Sequence, residues 1–346
     1  MVATMAVLEV GGTMRRREFI TFLGCAAASW QVAAHGQQAT KPPRIGFLSL
    51  GRGDKSDASL ATLDTFARGL GELGYIEGKN IAFERKFADG DESRLSELAQ
   101  ELAEHRVDAI VALATPAVRA ARKATSAIPI VGIGMADPIE DELASSLSRP
   151  GGNVTGTTFL GPQLVSKRLQ LLKEIVPGLS RVVVLLHPRA YGERTMAVMS
   201  KEIQSAADSL GTKLELVPAA SPGDLGTAFA AMTAERADAM IVFPSPMLFS
   251  QYSRIVTFAA DNRLPAMYAA REAVDLGGLV SYGVNLPDLS RTTATYLDKI
   301  LKGAKPTELP IQQPTKFELV INLKTAKALG LTVGRDLLLI ADEVVE

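Results

Sequence analysis

Residues 154–186, VTGTTFLGPQLVSKRLQLLKEIVPGLSRVVVLL, hold two hydrophobic periods in one run. Residues 154–160 follow Gly151-Gly152-Asn153 and read as a strand. Residues 164–176 read as a helix, because Val165, Leu169, Leu172 and Val176 recur at spacings of three and four. Residues 182–186 are unbroken apolar and read as a second strand. A strand apolar on both faces, reached through a helix, is the signature of a βαβ unit in a parallel sheet covered on both sides.

The same grammar extends both ways. Upstream, residues 44–50, 80–87, 108–114 and 128–135 read as strands. Helical stripes separate them, one with Leu63, Phe66, Leu70 and Leu73, another with Leu95, Leu98 and Leu102. Downstream, Met196, Met199, Ile203 and Leu210 mark a helix, followed by strand 213–217, helix 224–236, strand 239–243, helix 252–262 and strand 264–268. The second half repeats the first, which predicts an α/β fold of two doubly wound parallel-sheet lobes. Residues 279–283 read as one more strand, after which helix 286–301 is expected to rejoin the first lobe. The chain then crosses between lobes several times, near 152–156, near Gly283 and near 309–314, forming a multi-crossing hinge. The expected partition is 43–154 plus about 284–309 for lobe 1, and 155–283 plus about 310–346 for lobe 2.

In 346 residues, 37 Lys plus Arg face 38 Asp plus Glu, so no basic excess points to nucleic acid. The single cysteine, Cys25, excludes a disulfide framework, and with only His35, His105 and His187 a Cys/His zinc cluster is excluded too. No metal or other cofactor is expected.

Near the N-terminus, Arg15, Arg16 and Arg17 lead into an uncharged segment, 19–34, shorter than the roughly 20 residues that span a bilayer. Residues 1–36 therefore read as a cleavable export signal, with Met14 an alternative start and no stable membrane insertion afterwards. Arg16-Arg17-Glu18-Phe19-Ile20 resembles the twin-arginine signal, ordinary secretion being the alternative. Phe22-Leu23-Gly24-Cys25 loosely resembles a lipid-attachment box, but the apolar run before it is short.

Ligands of open parallel sheets bind beyond the carboxyl ends of the strands. There the sequence repeats one device, a cap-type side chain next to a proline, at Thr115-Pro116, Asp137-Pro138 and Ser245-Pro246. Each is either plain helix capping or a helix N-terminus turned toward a ligand. Candidate ligand-binding residues are Ser49 and Gly51 after the first strand, Thr115, Pro116, Met135, Asp137, His187 and Tyr191 after later strands, and Ser245, Tyr268 and Arg271 toward the end. Tyr268 and Arg271 suit a small organic acid, an amino acid or a sugar-like solute, unless Arg271 pairs with solvent or Glu272. No G-x-G-x-x-G, phosphate loop or G-x-S-x-G elbow is complete, and no Ser/His/Asp triad is evident.

Several strings resemble a known family: Asp137-Pro138, residues 148–156 (SRPGGNVTG), 263–268 (RLPAMY), 277–283 (GGLVSYG) and 313–322 (QPTKFELVIN). They are similar to the ABC transporter substrate-binding proteins, including the tryptophan-binding TrpX-like proteins, along essentially the whole mature chain. The resemblance implies a type I periplasmic-binding-protein fold, a monomer in the periplasm, hinge closure on a small solute, and delivery to an inner-membrane ABC permease. Relatives often carry Asn-Pro where this chain has His187-Pro188. A ligand-binding sensory subunit and an exported α/β enzyme are the competing readings.

Overall fold

The computed structural model describes residues 41–54 and 58–346; the expected export signal, Cys25 and His35 lie outside the described residues. Among the described residues twelve strands carry the architecture: β1 (Arg44–Ser49), β2 (Ala82–Phe87), β3 (Ala109–Leu113), β4 (Ile130–Met135), β5 (Val154–Thr158), β6 (Arg181–Leu186), β7 (Lys213–Pro218), β8 (Ala239–Val242), β9 (Ala266–Tyr268), β10 (Val280–Val284), β11 (Phe317–Asn322) and β12 (Glu343–Val345). They form a five-stranded sheet, β2-β1-β3-β4-β5, and a seven-stranded one, β12-β11-β10-β9-β8-β6-β7. The first sheet is parallel throughout. The second is parallel except where β10 meets β11.

Successive strand residues point to opposite faces, and each face has its own helices. On β1, Leu48 packs with Leu95, Leu98 and Leu102, while Ile45 and Phe47 pack with Leu63, Phe66 and Leu70. On β6, Val182, Val184 and Leu186 pack with Leu169, Leu172 and Ile203, while Val183 and Leu185 pack with Leu225, Met232 and Ile255. This two-sided burial is why the strands read as solid apolar runs.

Helix Leu286–Leu301 lies on the first sheet, its Leu289, Ala294 and Leu297 joining the cluster around Ile45 and Phe47. It packs closely on helix Ala58–Glu72, where a Cβ at Gly69 would lie 3.1 Å from that of Ala294.

Residues 155–158, expected in the second lobe, belong to the first sheet as β5. Gly156 makes this possible: at φ 131° it lies against Gly132, and a Cβ would collide with the Gly132 backbone. The chain leaves this sheet at 159–160, where Leu160 adopts a left-handed φ of 56° and opens helix Gly161–Ile175. It crosses again after β10, and a third time ahead of β11. The last passage runs beside β5, with Thr155 Oγ1 donating to Leu309 O at 2.8 Å and Gln312 N to Gly156 O at 2.8 Å.

Candidate functional site

A cavity of about 60 Å³ lies where the carboxyl ends of the two sheets face each other. The first-sheet side supplies Ser59, Thr62, Leu113, Ala114, Ile133 and Gly134. The opposite wall is Tyr191, Pro244, Ser245, Phe249, Ala269 and Ala270, and the crossings add Phe159, Val284 and Leu286. Most of these side chains are apolar, and Phe159 and Tyr191 meet as tilted rings 6.1 Å apart.

Local backbone geometry shapes the walls. Ala114 takes a left-handed φ of 65° and starts helix Ala114–Ala124 two residues before Pro116, the first helical position that the Thr115-Pro116 pair suggested. A non-glycine residue in that region is strained, and such strain concentrates at ligand sites. Gly134 is also left-handed, at φ 64°, and its N–H donates to Thr157 Oγ1 at 3.0 Å, tying β4 to β5 beside the cavity.

Among the described residues, the cavity lining carries one ionic group. Arg168, on helix Gly161–Ile175, is 1% exposed and lines the cavity. Its Nε donates to Tyr282 O at 2.8 Å, and its Nη1 is buried with no hydrogen-bond partner. Burial pushes its pKa down to about 10, so it remains a cation at neutral pH. An uncompensated buried charge costs several kcal/mol, and an anion with two acceptor oxygens is what a guanidinium fork fits. Among the described residues no group of His, Cys, Asp and Glu side chains is arranged to hold a metal.

Of the sequence candidates, Tyr191 and Ser245 line the cavity. Tyr191 donates its hydroxyl to Pro244 O, and burial raises its pKa. Ser245 caps helix Pro246–Ser250, accepting from Leu248 N at 3.1 Å.

The structure directs the other candidates elsewhere. Ser49 Oγ accepts the Gly51 N–H at 3.1 Å, so the pair closes a turn on itself. Thr115 is fully buried and its hydroxyl accepts from Ala136 N at 3.0 Å; Pro116 is buried behind it. Met135 folds back on Gly132 in the core. Asp137 opens a turn, accepting from Ile139 N and Glu140 N at 3.1 Å, in a separate hollow beside Gln163 and Gln313. His187 is 4% exposed and holds a loop, its Nε2 at 2.9 Å from Ala220 O while Arg189 N donates to Nδ1. Tyr268 is core, packed edge-on against Tyr252. Arg271 pairs with Glu343 at 2.9 Å and with Asp275 at 3.5 Å, and those hydrogen bonds raise its pKa.

Arg168, Ala114, Phe159 and Phe249 were not among the candidates. For Arg168 the signal was present: it stands three residues after Val165 and four before Leu172, a cation on the apolar stripe of its own helix.

Two α/β lobes with an apolar cavity and a buried cation between their strand ends define a solute-binding protein of the type I periplasmic-binding architecture. Residues 55–345 match the ABC transporter substrate binding proteins, and the chain belongs to that family. It is thus a binding protein and not an enzyme. It is 27% identical over 271 residues to the tyrosine-binding protein of Clostridioides difficile strain R20291, covering 77% of this chain and 75% of that one. A crystal structure of an ABC domain in complex with L-Trp from Streptococcus pneumonia superposes with a TM-score of 0.80 at 26% identity, covering 88% of this chain and 100% of that one. The ligand-free, open structure of a substrate binding protein with adhesive properties from Clostridium difficile gives 0.62 at 25% identity, covering 88% and 99%. No helix among the described residues is long and apolar enough to cross a membrane.

Proposed function

We propose that this protein is the periplasmic receptor of an ABC importer and that it captures a small carboxylate with an aromatic body, such as tyrosine or tryptophan. The observation that carries this is the unpartnered Nη1 of the fully buried Arg168 in a cavity walled by Phe159, Tyr191 and Phe249. The solute's carboxylate meets the guanidinium and its ring occupies the apolar remainder, with Tyr191 and Ser245 as wall residues. The tyrosine and tryptophan named for the relatives support this solute class.

Capture proceeds by hinge closure. At nearly equal identity the chain superposes better on the L-Trp complex than on the ligand-free, open relative, which supports a closed arrangement here. A solute touching both lobes favours that arrangement by population shift. The export-signal reading of residues 1–36 supports a periplasmic location, and the family supports an inner-membrane permease as partner. A monomer suffices, since one chain supplies both cavity walls.

Calorimetry with L-tyrosine, L-tryptophan, their deaminated acids and the matching amides tests the reading. Acids are expected to bind at least 100-fold tighter than amides, the scale of a lost buried charge-assisted pair. Equal affinity for acids and amides, or binding of neither, overturns it. Whether the deaminated acids match the amino acids states how far the ammonium contributes.

A further inference from the structure

A carboxylate of the first lobe completes a helix of the second. Asp141, in the segment between β4 and β5, accepts the Gly192 N–H at 2.7 Å and the Thr195 hydroxyl at 2.8 Å, both through Oδ1. Gly192 is the N-cap of helix Glu193–Ser209, and no side chain of its own caps that helix. The first turn of a helix has N–H groups without intrahelical partners and a positive dipole end, both of which favour a carboxylate. Here that carboxylate comes from the opposite lobe.

Gly192 sits at φ −65°, which any residue adopts, so its backbone does not call for glycine. Space does: a Cβ at Gly192 would collide with Asp141 Oδ1. Asp141 Oδ2 is buried without a partner, with Arg119 and Asp137 the charged groups acting on it. Two exposed pairs flank the contact across the same cleft, Glu142 with Arg194 at 2.8 Å and Glu92 with Arg189 at 3.2 Å. Exposed pairs of this kind contribute little, so the helix cap is the specific element of the set.

We infer that Asp141 is a closure latch: it caps helix Glu193–Ser209 when the lobes meet, withdraws when they part, and sets the lifetime of the complex without touching the solute. Gly192 is the strike plate that admits it. The inference rests on hinge closure as proposed above, and on the described contacts for its residues.

The test uses the full chain with Cys25→Ser, dyes on Ser96→Cys and Ser205→Cys in the two lobes, and L-tyrosine as probe. Asp141→Ala is expected to speed L-tyrosine dissociation about tenfold, the scale of hydrogen bonds to a charged acceptor, and to leave association unchanged. Asp141→Asn retains an acceptor oxygen and is expected to dissociate within about threefold of the parent. Gly192→Ala is expected to abolish the high-transfer, closed population, and to add nothing further in an Asp141→Ala background. Additive losses overturn the latch, as does an Asp141→Ala effect confined to thermal stability of the ligand-free protein. If the parent binds no aromatic acid, the solute reading fails separately. The latch then stands on the ligand-free dye pair: a closed population lost in Gly192→Ala supports it, and no closed population in the parent overturns it.

Discussion

Arg168 Nε donates to the carbonyl oxygen of Tyr282 at 2.8 Å, so one bond to β10 fixes the guanidinium plane and turns Nη1 away from any protein partner. A helix of the second lobe and the strand that precedes the second crossing thereby hold one cation at the cavity wall. Burial of that cation costs the protein stability, and in the proposed reading a solute carboxylate offsets that cost.

Arg168→Met therefore separates stability from binding. The depressed pKa means that, below about 10, the folded chain carries a charge it accommodates less well than the unfolded chain does. Removing it should stabilise the empty protein by about 1–4 kcal/mol while weakening carboxylate binding at least 100-fold. Scanning calorimetry and titration calorimetry on the same sample read both; a lower Tm together with unchanged affinity would contradict the assignment.

His187 should contribute an acid limb to the stability profile. Burial lowers its pKa, and the Arg189 N–H at Nδ1 leaves no room for a second ring proton. Between the lowered folded value and the ordinary value of about 6.5, the unfolded chain binds more protons, so stability rises with pH there and is lost as pH falls through about 6.5. The Tm should drop between pH 7.5 and pH 5.5, and His187→Gln, which keeps a donor for Ala220 O, should flatten that drop. An unaltered profile in the variant would assign the acid limb to other groups.

Gly156→Ala should destabilise the protein by about 3 kcal/mol or more, because the added methyl meets Gly132 backbone that cannot rotate aside. Urea unfolding would show the shift; a change below 1 kcal/mol would mean the two strands separate more easily than their packing indicates.

Tyr268→Phe removes a hydroxyl that is buried without a partner. An unsatisfied buried hydroxyl costs about 1–3 kcal/mol, so the variant should be at least as stable as the parent and bind solute unchanged. A marked loss of affinity would return Tyr268 to the site.

The architecture was legible where burial is two-sided. β1, β3, β4, β6 and β8 are apolar on both faces, and such runs state their own role. β12 is three residues long with Glu343 exposed, and β11 sits beside it near the sheet's edge, so neither offered a comparable pattern. Gly156 explains the misplaced first crossing: a glycine reads as a bend, whereas here it is the close contact between β4 and β5.

The site was legible in location more than in membership. The cavity lies at strand ends, yet cap-type side chains there mostly serve local backbone: Thr115 ties down Ala136, and Asp137 its own turn. What lines the cavity instead includes Ala114 and Gly134, together with Phe159 brought in by a crossing. Arg168 was hidden because a helical stripe is counted by its apolar members, and the cation among them carried the information.

Helix Leu286–Leu301 covers a sheet whose last strand, β5, ends at Thr158. During synthesis, more than a hundred further residues leave the ribosome before that face is sealed. Until then Ile45, Phe47 and Val111 have only helix Ala58–Glu72 against them, and a premature stop in between leaves the first sheet half covered and the second without its last strands. Quality control in this protein is thus tied to order of appearance: neither half can be certified folded before the C-terminal segments arrive.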